Sequence, residues 1–435
     1  MTLHIAGDLA VPGDKSLTHR ALMLAAAARG ESRLRGLLPG DDCRSTAAVL
    51  RALGVLIPEL PSAGETVHVS SAGLAAWRAP SDALDCGNSG TTARLMMGLL
   101  AGHSFCSTLT GDASLRSRPM RRITDPLSLM GARAIELEQP DRLPLRLCGG
   151  ALRGIDYLSP KGSAQIKSAV LLAGVSGGVD VSVLEPIRSR DHSERMLQSL
   201  GVDLVEEARD GGWFVAMRAP GSDLPPLEMD VPGDPSSAAF LIALAMLATS
   251  GEVRVRGVGL NPTRTGFFEA VRRMGGMVQT ENERASGGEP IGDIVARPSN
   301  LRGIEIERDE VPALIDEIPI LACLAARAEG ETRITGAEEL RAKESDRITA
   351  IVENLRGLGA EAEELPDGLV VRGSDRPLRG SVGAAHDHRI AMAFGVLGAL
   401  PGNDVEVDTP EVVDVSFPGF WQVIARITGA GSGAG

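Results

Sequence analysis

One pattern constrains this chain more than any other: a short apolar run that ends near a glycine and leads into a strand and then a second helix. Six such runs fall at 21–28, 95–101, 168–173, 239–248, 318–328 and 390–400. Each is apolar around most of its circumference, which predicts a buried helix. A strand-like run follows, clearest in the pattern G-E-x-R-x-x-G that opens at Gly30, Gly251 and Gly330. Its counterparts lie at 108–111, 179–184 and 405–407. A polar loop then leads to an amphipathic helix. Ile348, Ile351, Val352, Leu355 and Leu358 keep the 3.6-residue period, as do Phe267, Phe268, Val271 and Met274. That second helix closes on Leu-Gly or Met-Gly at Gly54, Gly131, Gly201, Gly275 and Gly359, where glycine suits a left-handed cap. The sixth unit runs out at the C-terminus.

With further strands at 67–70, 143–148, 213–217, 304–307 and 369–372, the repeating unit is approximately β-α-β-α-β-β. The fold class is therefore mixed α/β. At 435 residues the chain exceeds what one core usually serves, so six units divide most simply into two domains of three. The sequence V-P-G-D occurs at Val11 and again at Val231. This echo predicts one domain over 13–230 and a discontinuous one formed by 1–12 with 231–435. Two crossings of chain would join them, as suits a hinged cleft. Aromatic residues make up only 3% of the chain, so both cores must be built from Ala, Leu, Val, Ile and Met.

A formal net charge of −13 argues against general nucleic-acid binding, which needs a basic surface. An acidic protein with anionic ligands has to concentrate its positive charge locally. The five cysteines, at 43, 86, 106, 148 and 323, show no ligand spacing. They predict free thiols in a reducing compartment and no structural zinc. No export signal and no charge-free run long enough to span a bilayer is evident, so a cytoplasmic location and no membrane partner are expected. The closing G-A-G-S-G-A-G reads as a frayed tail.

Polar clusters stand before the buried helices. They are Lys15-Ser16 with Arg20, Asn88-Ser89-Gly90-Thr91-Thr92 with Arg94, Ser163-Ala164-Gln165-Ile166-Lys167, Asp234-Pro235-Ser236-Ser237, Asp316-Glu317, and Asp387-His388-Arg389. The second helices begin with Asp41-Asp42 and Arg44, Arg116 and Arg118, Arg188 with Arg190-Asp191, Arg264, and Arg341 with Lys343-Glu344-Ser345-Asp346-Arg347. Capping accounts for the Ser, Thr, Asp and Asn residues. It does not account for Lys and Arg, which oppose the helix dipole unless an anion lies between. Arginines at equivalent positions of a repeat therefore predict convergence on a shared anionic site.

A nucleotide loop is a poor fit. Gly13-Asp14-Lys15-Ser16 lacks the glycine before the lysine and the one five residues earlier, where Asp14 and Leu9 stand. His386 and His388 with Asp387 lack a third metal ligand. The stretch Lys343 to Arg347 packs two cations and two carboxylates into five residues, which suits either proton transfer or an exposed helix start.

Taken together, P-G-D-K-S-x-x-x-R, G-N-S-G-T-T-x-R-L, R-S-R-P-M, G-S-A-Q-I-K-S-A-x-L-L-A, S-R-D-H-S-E-R-M-L, P-x-L-I-D-E-I-P, L-R-x-K-E-S-D-R and D-H-R-I-A-M, spread from Pro12 to Pro418, strongly resemble the 5-enolpyruvylshikimate-3-phosphate synthase family of enolpyruvyl transferases. The resemblance implies a two-domain inside-out α/β barrel with three β-α-β-α-β-β repeats per domain and the active site in the interdomain cleft. It implies transfer of the enolpyruvyl group of phosphoenolpyruvate to the 5-hydroxyl of shikimate 3-phosphate, by addition and elimination through a tetrahedral intermediate. No metal or organic cofactor is implied, and a monomer is expected.

By the same resemblance Lys15, Ser16, Arg20, Ser163, Ala164, Gln165, Arg190, Asp316 and Lys343 hold shikimate 3-phosphate. Lys15, Asn88, Gly90, Arg118, Gln165, Arg347, His388 and Arg389 surround phosphoenolpyruvate. Asp316 would accept the proton of the 5-hydroxyl, Glu344 would protonate the methylene carbon, and Lys15 would touch both ligands. Ala164 stands where many members have serine, Glu339 where some have asparagine, and Val415 where some have a lysine for phosphoenolpyruvate; Arg190 supplies contacts placed differently in other members. Two other readings remain. Enolpyruvyl transferases acting on UDP-N-acetylglucosamine share the architecture but begin with a lysine–asparagine pair. A non-catalytic anion-binding protein would not need Asp316 and Glu344.

Overall fold

The apolar runs fold as the helices Lys15–Ala27, Gly90–Ala101, Ala164–Gly177, Pro235–Leu247, Ile318–Ala325 and His388–Gly398. The structure, a computed structural model, describes residues 2–61 and 64–429, so the glycine-rich tail beyond Gly429 lies outside the described residues. Helix Pro235–Leu247 is buried from Pro235 to Met246, as expected of a run with no polar face. The glycines after the second helices, Gly54, Gly131, Gly201, Gly275 and Gly359, have φ between 84° and 115°. Only glycine adopts that region at little cost, which is why each helix stops there.

Every repeat opens on a parallel pair of strands joined across the buried helix, and in five of the six the strands that follow are antiparallel; the sheet of Arg379–Val382 and Asp404–Val407 has the parallel pair alone among the described residues. The parallel pairs include Leu84–Asp85 with Cys106–Thr110, Ile155–Leu158 with Val181–Glu185, Glu305–Ile306 with Glu331–Ile334, and Arg379–Val382 with Asp404–Val407. Two repeats take their first strand from a distant part of the chain. His4–Ala10 pairs in parallel with Ser250–Gly259, and Glu228–Asp230 with Arg29–Arg35.

The chain divides into two compact units. One comprises the residues up to Pro12, Pro232–Arg284 and those from Pro290 onward; the other comprises Gly13–Val231 and Ala285–Glu289. Each has its own apolar core, rich in Ala, Leu, Val, Ile and Met. The repeated V-P-G-D places an aspartate at the same point of both units. Asp14 accepts a hydrogen bond from the Leu17 amide and Asp234 from the Ser236 amide, each at 2.8 Å, so both cap a buried helix.

The expectation of five free thiols fails. Cys106 and Cys148 face each other in register between Cys106–Thr110 and Leu145–Cys148, with Cα atoms 4.0 Å apart, and form a disulfide. The strand pairing juxtaposes residues that are 42 apart in sequence, a relationship that spacing alone does not reveal. The cysteine pattern therefore gives no argument for a reducing compartment. Cys43, Cys86 and Cys323 are free and buried. Among the described residues no helix is long and apolar enough to cross a membrane.

Candidate active site

In the 13–231 unit the helix starts gather arginines around Gln165. Arg94 Nη1 donates to Gln165 Oε1 at 2.9 Å and Arg122 Nη2 to the same oxygen at 3.2 Å. Arg118 is held beside them by Asn88, whose Oδ1 accepts from Nη2 at 2.7 Å. Asn88 is itself oriented by Asp112, at 2.7 Å. Gly90 opens the helix Gly90–Ala101 at this point, and a Cβ there would stand 2.7 Å from Arg94 Nη1 and 3.6 Å from Arg118 Nη1. Burial, with the charges of Arg122 and Arg118 added, pulls the Arg94 guanidinium down to about 9. Like charges brought together at a helix N-terminus form an anion-binding arrangement.

A second group in this unit surrounds Lys15 and Arg20. Lys15 Nζ lies 3.0 Å from Asp42 Oδ2. Burial opposes ionisation of Asp42, but Lys15, His19 and Arg118 prevail and hold its carboxyl below the usual range. Arg20 is buried, with Nε donating to Ser193 Oγ at 2.8 Å, Nη2 to Ser168 Oγ at 2.9 Å, and Nη1 to the Ser16 carbonyl at 3.0 Å. Burial lowers it to about 10. Ser163 precedes helix Ala164–Gly177, so Ser163, Ala164 and Gln165 share one helix start. Arg190 lies in the loop before helix His192–Ser199.

The other unit carries the acidic residues. Asp316 sits in the single turn Ile315–Glu317. Its carboxylate lies 3.4 Å from Arg347 Nη1, 3.7 Å from Lys343 Nζ and 3.9 Å from Arg389 Nη2. Arg389 also donates to the Asp316 carbonyl at 3.1 Å. Glu344 is exposed, with Oε2 2.6 Å from Arg347 Nη2. Arg347 is fully buried and its Nε donates to Asp387 Oδ2 at 2.7 Å. Burial disfavours that charge, yet Glu344, Asp387 and Asp316 outweigh it and raise the guanidinium above its ordinary value. Asp387 caps helix His388–Gly398 through the Arg389 amide at 2.9 Å, which places His388, also buried, at the same helix start.

Three arginines at equivalent repeat positions behave otherwise. Arg264 pairs with the capping Asp234 at 3.1 Å. Arg341 pairs with Asp346 and Glu364, both at 2.8 Å, and Arg116 with Glu138. The arginines at equivalent repeat positions thus do not all converge on one anion, because Arg116, Arg264 and Arg341 are taken up by carboxylates of their own repeats. Arg122 lies two residues beyond the motif R-S-R-P-M, and the packing of helix Arg121–Met130 brings it to Gln165. Glu339 lies in the turn Glu338–Ala342, and Val415 is exposed at the end of Pro410–Val415. Among the described residues no group of three His, Cys, Asp or Glu side chains is placed to hold a metal ion.

Residues 2–424 match the family model for EPSP synthase (3-phosphoshikimate 1-carboxyvinyltransferase). The chain belongs to the EPSP synthase family. A relative from Desulfitobacterium hafniense, named 3-phosphoshikimate 1-carboxyvinyltransferase, is 47% identical over 97% of this chain and 95% of its own length. The solved EPSP synthase from Acinetobacter baumannii is 40% identical, with a TM-score of 0.87 over 98% of this chain and 96% of that one. The enolpyruvyl transferase NikO from Streptomyces tendae, at 20% identity and a TM-score of 0.76 over 98% of this chain and 95% of that one, shares the fold. Two-domain mixed α/β architecture is thus common to this EPSP synthase family member and its solved relatives.

Proposed function

We infer that this chain transfers the enolpyruvyl group of phosphoenolpyruvate to the 5-hydroxyl of shikimate 3-phosphate, releasing phosphate, as a step of aromatic amino acid biosynthesis. The observation that carries the residue-level reading is Asp316, an acceptor for a proton set among Lys343, Arg347 and Arg389. Such a group suits a reaction in which a hydroxyl loses its proton beside anionic substrates.

In the addition step the 5-hydroxyl oxygen bonds to C2 of phosphoenolpyruvate, its proton passes to the Asp316 carboxylate, and C3 takes a proton from Glu344, which enters this step as the carboxylic acid after taking up a proton from solvent. In the elimination step C3 returns that proton to Glu344 while the C2–O bond to phosphate breaks. The hydroxyl proton leaves with phosphate. Lys15, Ser16, Arg20, Ser163, Ala164, Gln165, Arg190 and Lys343 hold shikimate 3-phosphate. Asn88, Gly90, Arg118, Arg347, His388 and Arg389, with Lys15 and Gln165, hold phosphoenolpyruvate. Fixed cations that orient two anionic substrates supply most of the advantage, through proximity and stabilisation of developing charge.

The test is to incubate the protein with shikimate 3-phosphate and phosphoenolpyruvate and follow phosphate release. Absence of release, together with turnover of UDP-N-acetylglucosamine, would overturn the reading.

A further inference from the structure

Strand Val181–Glu185 ends in a fully buried carboxylate that the reaction does not use. Glu185 Oε1 lies 2.7 Å from Lys167 Nζ and accepts from the Ser189 amide at 2.8 Å. Its Oε2 accepts from the Ser189 hydroxyl at 2.7 Å and from the Ser163 amide at 3.2 Å. Lys167, also fully buried, reaches Glu194 at 2.8 Å and the Ser189 carbonyl at 3.4 Å. Burial alone would favour a neutral Lys167, but Glu194 and Glu185 reverse this and raise its pKa.

Buried ion clusters seldom stabilise a fold more than a well-packed apolar group would, so geometry is the more informative reading of this one. The two backbone segments that Glu185 grips are adjacent to ligand residues. Ser163 precedes Ala164 and Gln165, and Ser189 precedes Arg190. One carboxylate spans both. The two helices that follow are tied a second time, because Arg20 donates to Ser168 on one and Ser193 on the other, and those hydroxyls lie 2.7 Å apart.

We propose that Glu185, salt-bridged to Lys167, is a positioning residue for shikimate 3-phosphate: it sets the distance between the Ser163–Gln165 helix start and the Ser189–Arg190 loop. This rests on the assignment of those residues to shikimate 3-phosphate. The carboxylate touches no reacting atom, so its loss acts on binding and chiefly on shikimate 3-phosphate, because among the ligand residues it positions only Gln165 is also assigned to phosphoenolpyruvate.

The experiment measures steady-state kinetics with each substrate varied in turn, and melting temperature, for the unaltered protein, Glu185→Gln and Glu185→Asp. Glu185→Asp keeps the charge beside Lys167 but is too short to span both segments. In both variants KM for shikimate 3-phosphate is expected to rise about tenfold, as for loss of one charge-assisted contact. KM for phosphoenolpyruvate and kcat should stay within about twofold. An unchanged KM for shikimate 3-phosphate overturns the proposal, as does a parallel rise in both KM values or loss of the fold in both variants, since either marks a purely structural role. Failure of the unaltered protein to release phosphate from the two substrates instead overturns the functional reading on which the proposal rests.

Discussion

Arg347 and Asp387 form an ion pair shut off from water, with Nε 2.7 Å from Oδ2 and side-chain exposures of 1% and 0%. The same arginine reaches Glu344 and Asp316, so this one pair anchors the residues proposed to move protons. Removing one partner of a buried pair leaves a charge uncompensated. Asp387→Ala should cost on the order of 3 kcal/mol of stability, read by chemical denaturation. A loss below about 1 kcal/mol would show that Glu344 and Asp316 suffice to hold Arg347.

Glu344 is exposed and Lys15 is only partly buried, so neither is needed for the core. Glu344→Gln and Lys15→Met should each lower kcat by roughly a hundredfold or more, with melting temperature nearly unchanged. Near-normal turnover in either variant would remove that residue from its proposed part.

Gly90 lies against two guanidinium groups. A methyl there would meet Arg94 Nη1 at 2.7 Å, closer than real Cβ contacts, and the flexible guanidinium would have to move. Gly90→Ala should therefore fold but raise KM for phosphoenolpyruvate about tenfold, the equivalent of one weakened charged contact. The KM for shikimate 3-phosphate should change far less. Equal effects on both substrates would place Gly90 outside the phosphoenolpyruvate set.

His19 is buried, with Nδ1 2.7 Å from Thr46 Oγ1. Burial is the main cause that lowers it from 6.5 to about 4, with Lys15 and Arg20 adding to the effect against Asp42 and Asp14. Between those values the unfolded chain binds a proton that the folded chain does not. Its stabilising contribution is thus complete above pH 6.5 and is lost as pH falls towards 4. Denaturant midpoints taken across this range should fall less steeply with acidity in His19→Gln than in the unaltered protein. Parallel slopes would mean that His19 is not the group responsible.

Much of the architecture was legible because it is local. An apolar run such as 239–248 has no polar face to offer water, and glycine at 54, 131, 201, 275 and 359 is where a helix must turn into left-handed backbone. Capping aspartates at 14 and 234 follow from the same short-range rules. The site was legible as residue types, since cations at helix starts require an explanation beyond capping.

Pairing partners were not legible. Arg118 and Arg116 are two residues apart, yet one joins the cluster beside Asn88 and the other pairs with Glu138. Arg122 reaches Gln165 only through helix packing, and Glu185 reaches Ser163 only because a strand end lies beside a helix start.

By itself, then, the sequence determined the repeating unit, its buried helices, its glycine stops and the family to which the motifs belong, because each is written in a window of a few turns or in an ordered set of motifs. The tertiary structure decided that His4–Ala10 completes the repeat of helix Pro235–Leu247, and that Glu228–Asp230 completes that of Lys15–Ala27. It also decided which partner each arginine meets, and that Cys106 meets Cys148. The physical reason is shared. Strand pairing, ion pairing and disulfide formation depend on which segments lie side by side, and contacts between distant segments leave no period in the sequence.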